Sequence, residues 1–230
     1  LNNKEIIIII PAYNCEEHIE DVINGFCVFG YDICVVDDGS SDNTALKVRK
    51  HPDVVLLSND KNAGKGAALD NGFKYAIKNN YKWALTVDGD LQHLPSDFNS
   101  FIREYEKHKD SDYIIFLGDR SLEFHKMPKS NRVGNTSSSG WLSFITRQKI
   151  NDSQCGYRMY SLKIFDKIKI KAKRFGYETE FLIKASRKKA KFINVAVSAV
   201  YPENLEEFKS HYRKVKDTIR ILWVLIRCLF

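Results

Sequence analysis

Asp88 and Asp90 stand one glycine apart, directly after the apolar run Trp83–Val87. Two carboxylates at this spacing can grip one hard divalent cation, Mg2+ or Mn2+, and leave other positions for the oxygens of a diphosphate. Such an ion would neutralise charge on a departing nucleoside diphosphate, as a Lewis acid at the leaving group. A DxD tripeptide is common by chance. Its place after a strand, and before Leu91-Gln92-His93, gives it weight. Two further polar clusters end apolar runs: Pro11-Ala12-Tyr13-Asn14 and Asp37-Asp38-Gly39-Ser40. Each alone reads as a polar turn or a helix cap. Together, at three strand ends, they make one rim carrying an aromatic ring, four carboxylates and two glycines.

In open α/β sheets ligands bind beyond the carboxyl ends of the strands, so the elements behind these clusters matter. The five-isoleucine run in Glu5–Ile10 reads as a central buried strand. Strands are also expected at Asp32–Asp37, Val54–Ser58, Trp83–Val87 and Tyr113–Gly118. Between them fall helices at Glu16–Phe26, from a Ser41 or Asp42 cap to Lys50, at Gly66–Lys78, and at Pro95–Lys109. In the third helix Ala67, Leu69, Phe73 and Ile77 are expected to face inward. After Gly118 the rhythm breaks. Ser121–Asn151 is basic and small-polar around a short helical stretch, Lys191–Val200 restores a strand, and Ser210 onward reads as a helix. The alternation predicts an α/β domain with a mostly parallel sheet between helices. One domain over residues 1–230 is expected, as a regular part (1–118), a specialised part (119–209) and a terminal helix (210–230).

Composition narrows the class. The chain has 230 residues, 43% of them hydrophobic and 28% charged, as in an ordinary globular protein. Its longest apolar run, Ile221–Ile226, is far short of the roughly 20 residues that span a bilayer. No basic-then-apolar leader opens it; it begins at Leu1 without a methionine, so residues upstream are expected. Five cysteines, odd in number, scattered and without a CxxC pair, argue against a disulfide framework or zinc site. They fit a reducing compartment. The net charge of +7 suits an anionic partner. Nucleic acid is disfavoured, because the basic residues are not interleaved with aromatics and the carboxylate rim would repel a phosphate backbone.

The segments IIIIIPAYNCEEHI, VVDDGSSDNT, NAGKGAAL and VDGDLQHLP, in this order between Glu5 and Ser96, resemble the nucleotide-sugar half of family 2 glycosyltransferases. The resemblance implies a single Rossmann-like glycosyltransferase-A domain and inversion at the anomeric carbon. It implies that Tyr13 and Asp38, with Asp37, hold the nucleobase and ribose, beside Pro11, Asn14 and Glu16. Asp88, Gly89 and Asp90 would hold the metal and diphosphate of a UDP- or GDP-linked sugar, and Lys65, between two glycines at a helix start, would reach phosphate. Many members carry Glu where this chain has Cys15; Glu16 and Glu17 follow as substitutes.

Further on, Gly118-Asp119-Arg120, Met127-Pro128, Arg132-Val133-Gly134-Asn135 and Asp152-Ser153-Gln154-Cys155-Gly156-Tyr157-Arg158 resemble the polyprenyl-phosphate branch, which includes dolichol-phosphate mannose synthases. Tyr177–Ala185 matches that branch's later helix. The QxxRW element of processive synthases is absent, which disfavours polymerisation. The implied acceptor is a dolichyl or undecaprenyl phosphate. A lipid monophosphate is already anionic, so it needs holding rather than deprotonation, and arginine forks suit that task. Arg120 and Arg132 are the expected acceptor pair, with Arg158 in support. Asp152 has two readings: it orders the loop around the metal and Gln154, which is expected to join Asp88 and Asp90 as a metal ligand, or it is a general base for a hydroxyl acceptor. Gln92 is a further candidate for metal or acceptor support, and His93 reads as structural.

Near the C-terminus Tyr212, Val215, Ile219, Leu222, Ile226 and Leu229 recur at three and four residues, flanked by Arg213, Lys214, Lys216, Arg220 and Arg227. A basic amphipathic helix of this kind lies in a membrane interface, or packs on its own domain or a second copy. The expected location is cytoplasmic, peripheral on the inner face of the cell membrane, with a homo-oligomer left open. Two other readings stay open: a saccharide hydroxyl as acceptor in surface-polysaccharide synthesis, and a degenerate scaffold.

Overall fold

Consecutive isoleucines have no polar face to offer water, and β1 (Ile6–Ala12) is buried along its whole length inside a seven-stranded sheet. The computed structural model describes residues 5–174, 176–200 and 227. Parallel to β1 on one side lies β2 (Asp32–Asp37), with β3 (Val54–Ser58) beyond it; on the other side lies β4 (Trp83–Thr86). The three motif-bearing strand ends are therefore neighbours. Next to β4 comes β6 (Arg158–Ser161), antiparallel to both β4 and β5 (Ile114–Asp119), and β7 (Lys191–Ala196) closes the order β3-β2-β1-β4-β6-β5-β7.

Alternation along β1 feeds both faces of this sheet. Ile6, Ile8 and Ile10 pack with α1 (Ile19–Cys27) and α4 (Phe98–His108), while Ile7 and Ile9 pack with α3 (Lys65–Lys78) and α6 (Gly176–Arg187). Gly72 lets α3 sit close: a Cβ there would stand 2.6 Å from Ile9 Cγ2. Small residues, not the expected Ala67 and Ile77, make most of that helix's inner face; Gly66, Ala68, Gly72 and Ala76 are buried with Leu69 and Phe73, and Ile77 is 40% exposed. The sheet is too close for larger side chains.

Several elements differ from the sequence reading. α1 starts at Ile19, because the residues before it are bonded to the next loop, and α2 is only Thr44–Val48. A 3-10 turn, Pro95–Asp97, precedes α4. The stretch expected to hold a short helix contains α5, 18 residues from Lys129 to Thr146. Strand β6 was not foreseen, and β7 ends at Ala196. The helix expected from Ser210 lies outside the described residues. Among the described residues no helix is long and apolar enough to cross a membrane.

Candidate active site

The sheet ends its ladders where the motifs begin. Pairing of β1 with β4 stops at Ile9–Thr86, so the N–H that Pro11 lacks is not needed there. Tyr13 follows, half-buried, and Asn14 turns the chain with a left-handed φ of 50°. This turn is tied to the loop after β2. Asn14 N donates to Ser40 Oγ (2.9 Å), and Asn14 Oδ1 accepts from Ser41 N (2.9 Å). Glu16 Oε2 accepts from Asn43 N and Nδ2 at 3.0 and 2.8 Å, at the start of α2. Asn14 and Glu16 thus bond to the β2 loop and join the first two motifs. Cys15, in the position of the family's glutamate, lies beside Gly89, and burial pushes its thiol up to about 11.

Asp38 also turns inward. It is 2% exposed and accepts from Asn59 Nδ2 (2.8 Å), Ala63 N (3.1 Å) and Gly64 N (2.6 Å). Its carboxylate folds the loop that launches α3. Asp37 is buried as well and accepts from Ser40 N at 3.1 Å. Gly64 takes a φ of 97°, in the left-handed region, and Arg174 packs where its Cβ would be; this geometry delivers Lys65 as the first residue of α3.

Lys65 Nζ lies 2.7 Å from Asp88 Oδ1 and 3.5 Å from Glu178 Oε2, and Glu178 Oε1 lies 3.6 Å from Arg158 Nη1. Four alternating charges thus run from the rim into the core, drawn from the loop after β4, α3, α6 and β6. Burial opposes the charge on Lys65, but Asp88 and Glu178 outweigh it and hold its pKa above the usual lysine range. For Asp88 burial acts upward, yet Lys65 keeps the carboxylate below its ordinary value. Arg158 is fully buried, where an acceptor arginine would need a route to solvent. Its Nε and Nη2 donate to the carbonyls of Cys155 (2.8 Å) and Ser153 (2.6 Å), so it braces the loop under the site. Glu178 escaped the sequence reading as a site residue.

Asp90 projects to solvent, its Oδ1 accepting from Gln92 N at 3.2 Å. Crowding by surrounding protein, and then the charge of Asp88, push it up to about 6. Gly156 makes room for this pair, because a Cβ there would collide with the Asp88 carboxylate. Among the described residues no group of three or more His, Cys, Asp or Glu could cage a metal ion. Mg2+ in phosphate-binding sites asks for less, one or two carboxylates with substrate phosphates completing its shell. Two adjacent carboxylates, one raised by the other's charge, fit such an ion. The side chain of Gln154, read as a third ligand, donates to Ser138 Oγ at 3.4 Å. His93 is 4% exposed against the Tyr157 ring; burial pushes it down to about 4, so it is neutral.

The other edge of the site is built on Asp152, which has no exposure. Arg120, just past β5, forks it with Nε to Oδ2 at 2.7 Å and Nη2 to Oδ1 at 3.1 Å. Oδ1 also accepts from Asn135 Nδ2 of α5 (2.7 Å) and from the amides of Gln154 (3.1 Å) and Cys155 (3.0 Å). A carboxylate so fully engaged anchors the loop and is not set up to take a proton from an acceptor. Arg132, one turn before Asn135 on α5, is half-buried and makes no ion pair among the described residues. Asp119, also missed in the sequence, accepts from Asn151 Nδ2 at 2.5 Å and closes the same loop onto β5.

Comparison with known proteins agrees with this architecture. Residues 7–169 match the family described as Glycosyl transferase family 2. The UDP-N-acetylglucosamine–dolichyl-phosphate N-acetylglucosaminyltransferase of Methanococcus voltae is 33% identical over 229 residues, covering 87% of this chain and 88% of that one. The dolichyl-phosphate beta-glucosyltransferase of Dictyostelium discoideum is 27% identical, with 96% and 75% covered. The crystal structure of mannosyl-3-phosphoglycerate synthase from Rubrobacter xylanophilus shares the fold, with a TM-score of 0.70 at 14% identity over 97% of this chain and 72% of that one. With a seven-stranded glycosyltransferase-A sheet, its motifs on three adjacent strand ends and relatives of this kind, the chain belongs to glycosyl transferase family 2 and is a glycosyltransferase.

Proposed function

We propose that this chain moves a sugar from a nucleotide-diphosphate donor to a polyprenyl monophosphate, with inversion and with Mg2+ or Mn2+. The observation that carries the reading is the meeting of two unlike edges at the loop of residues 152–156. Asp88, Asp90 and Lys65 form one edge, and Arg120 and Arg132 the other. The relatives support the acceptor class, since the Methanococcus voltae and Dictyostelium discoideum enzymes are named for dolichyl-phosphate acceptors. A third, from Micrococcus luteus, is named an undecaprenyl-phosphate mannosyltransferase.

In this reading Tyr13 lines the nucleoside side of the rim. Asp38, Asn14 and Glu16 hold the loops that shape it. Lys65 compensates Asp88 and reaches the donor's diphosphate. The divalent ion, held by Asp88 and Asp90, supplies charge neutralisation at the leaving group. Arg132 orients the acceptor phosphate in line with the anomeric carbon, and Arg120, buried in its fork with Asp152, holds the loop behind it; this is positioning more than acid–base catalysis. No general base is required, consistent with the engagement of Asp152. A bilayer-bound acceptor places the enzyme at the cytoplasmic membrane surface.

The test incubates the folded chain with radiolabelled UDP- and GDP-sugars, Mg2+ or Mn2+, and polyprenyl phosphates of several lengths. A lipid-linked product from one donor is expected, and none from any donor overturns the reading. Arg132→Ala should lower kcat/KM for phosphate acceptors roughly 100-fold. An unchanged value would remove Arg132 from the acceptor site.

A further inference from the structure

Helix α5 carries large apolar side chains on its outer side as well as its inner one. Its inner side is filled by both kinds of residue: Leu142 and Ile145 pack into the core, and Asn135, Ser139 and Thr146 are buried with them, Ser139 Oγ accepting from Ser153 N at 2.9 Å. Its outer side carries Val133, Thr136, Ser137, Gly140, Trp141 and Phe144. At 3.6 residues per turn these six fall within about 140° of arc. Val133, Trp141 and Phe144 are 67%, 61% and 77% exposed, and the residues from Thr136 to Phe144 line a shallow apolar depression. An exposed apolar stripe of this kind marks a contact surface.

Charge selects the occupant. From Phe124 to Asn151 the chain has no Asp or Glu, but carries Lys126, Lys129, Arg132, Arg147 and Lys149. Lys126 pairs with Glu123, whereas Lys129, Arg147 and Lys149 are exposed and make no ion pair among the described residues. They bracket both ends of the stripe. A second copy in two-fold contact would set these cations against themselves. The chain's own residues 211–227 are also basic. An anionic bilayer offers apolar chains to the stripe and negative headgroups to its ends.

We propose that the outer face of α5 docks on an anionic lipid bilayer, with Trp141 and Phe144 entering the interface and Arg132 held at headgroup depth. The proposal rests on the polyprenyl-phosphate reading for its purpose. Its test uses neither donor nor acceptor, so either can fail alone. The full chain is sedimented with vesicles of phosphatidylcholine and phosphatidylglycerol lacking any polyprenyl phosphate. Binding is expected, and Trp141→Ser with Phe144→Ser should weaken it roughly tenfold or more. Transfer to a short, water-soluble isoprenyl phosphate should be unchanged by the pair, while transfer to a long-chain acceptor in vesicles falls. Should the double variant not fold, Phe144→Ser alone, at the more exposed position, should show a smaller loss of the same kind. No vesicle binding by the unaltered chain overturns the proposal, as does equal binding by the variants. A dimer that the substitutions dissociate, with vesicle binding intact, assigns the stripe to a second copy and also overturns it.

Discussion

Gly156 carries no side chain because the Asp88 carboxylate occupies the space that a Cβ would need. Its value to the site is therefore steric, and it can be tested without touching a charged group. Gly156→Ala should displace Asp88 from Lys65 by a fraction of its bond length, and a shift of about 1 Å in a positioned group costs on the order of 100-fold in rate. The expected outcome is a kcat/KM lower by roughly that factor in a protein that still melts cooperatively; wild-type turnover would show that Asp88 need not sit there. Residue types at this scale were readable in the chain: Asp88, Asp90, Tyr13 and Lys65 all reach the rim. Their partners were not. Asp38 and Glu16 have the same chemistry as Asp90, and nothing local in the sequence says that their oxygens meet Gly64 N and Asn43 N instead of solvent.

Among the elements, α5 and β6 carry the acceptor edge, and both were hard to foresee for physical reasons. α5 contains Gly134, Asn135, Thr136, five serines and Gly140, residues of low helix propensity. Its stability comes from tertiary bonds of Asn135, Ser139 and Ser143 to the loop at residues 150–153. β6 is a four-residue antiparallel insertion whose burial follows from its neighbours β4 and β5. The joint between these elements is Asp152. Replacing it with Asn removes the negative charge that the buried Arg120 guanidinium forks, which costs about 3 kcal/mol. For a chain of this size that lowers Tm by roughly 6–12 °C. A thermal melt of Asp152→Asn checks this. Were Asp152 a general base, the variant would instead lose kcat at an unchanged Tm.

Across the whole molecule, α6 is tied down by Glu180, which is 1% exposed. It accepts from Lys171 N (3.1 Å) and Ala172 N (2.5 Å) and pairs with Lys184 (2.6 Å) and Arg227 (3.0 Å). Burial would raise its pKa, but Lys184, the Ala172 amide and Arg227 hold it below the ordinary value of 4.5. A depressed folded-state pKa contributes stability that is complete above 4.5 and is lost as pH falls through the folded value. Glu180→Gln should therefore be less stable than wild type at pH 7, with the Tm difference shrinking on acidification below 4.5. A constant difference from neutral to acid pH would show that the carboxylate titrates normally.

The amino-acid sequence by itself determined the first half of the fold and the chemical identity of the rim. Apolar runs, turn residues and strand-end motifs are properties of neighbours along the chain, and β2 and β3 fall at the residues that pattern indicates. Only the tertiary structure decided which charges meet. The Asp88–Lys65–Glu178–Arg158 series and the Arg120–Asp152–Asn135 joint bring together residues far apart in sequence. Those meetings depend on which strands lie side by side, on the reversal of β6 and on the close approach that Gly156 and Gly72 permit. A carboxylate's role is set by the donors around it, and donors from distant segments arrive only when the chain has packed.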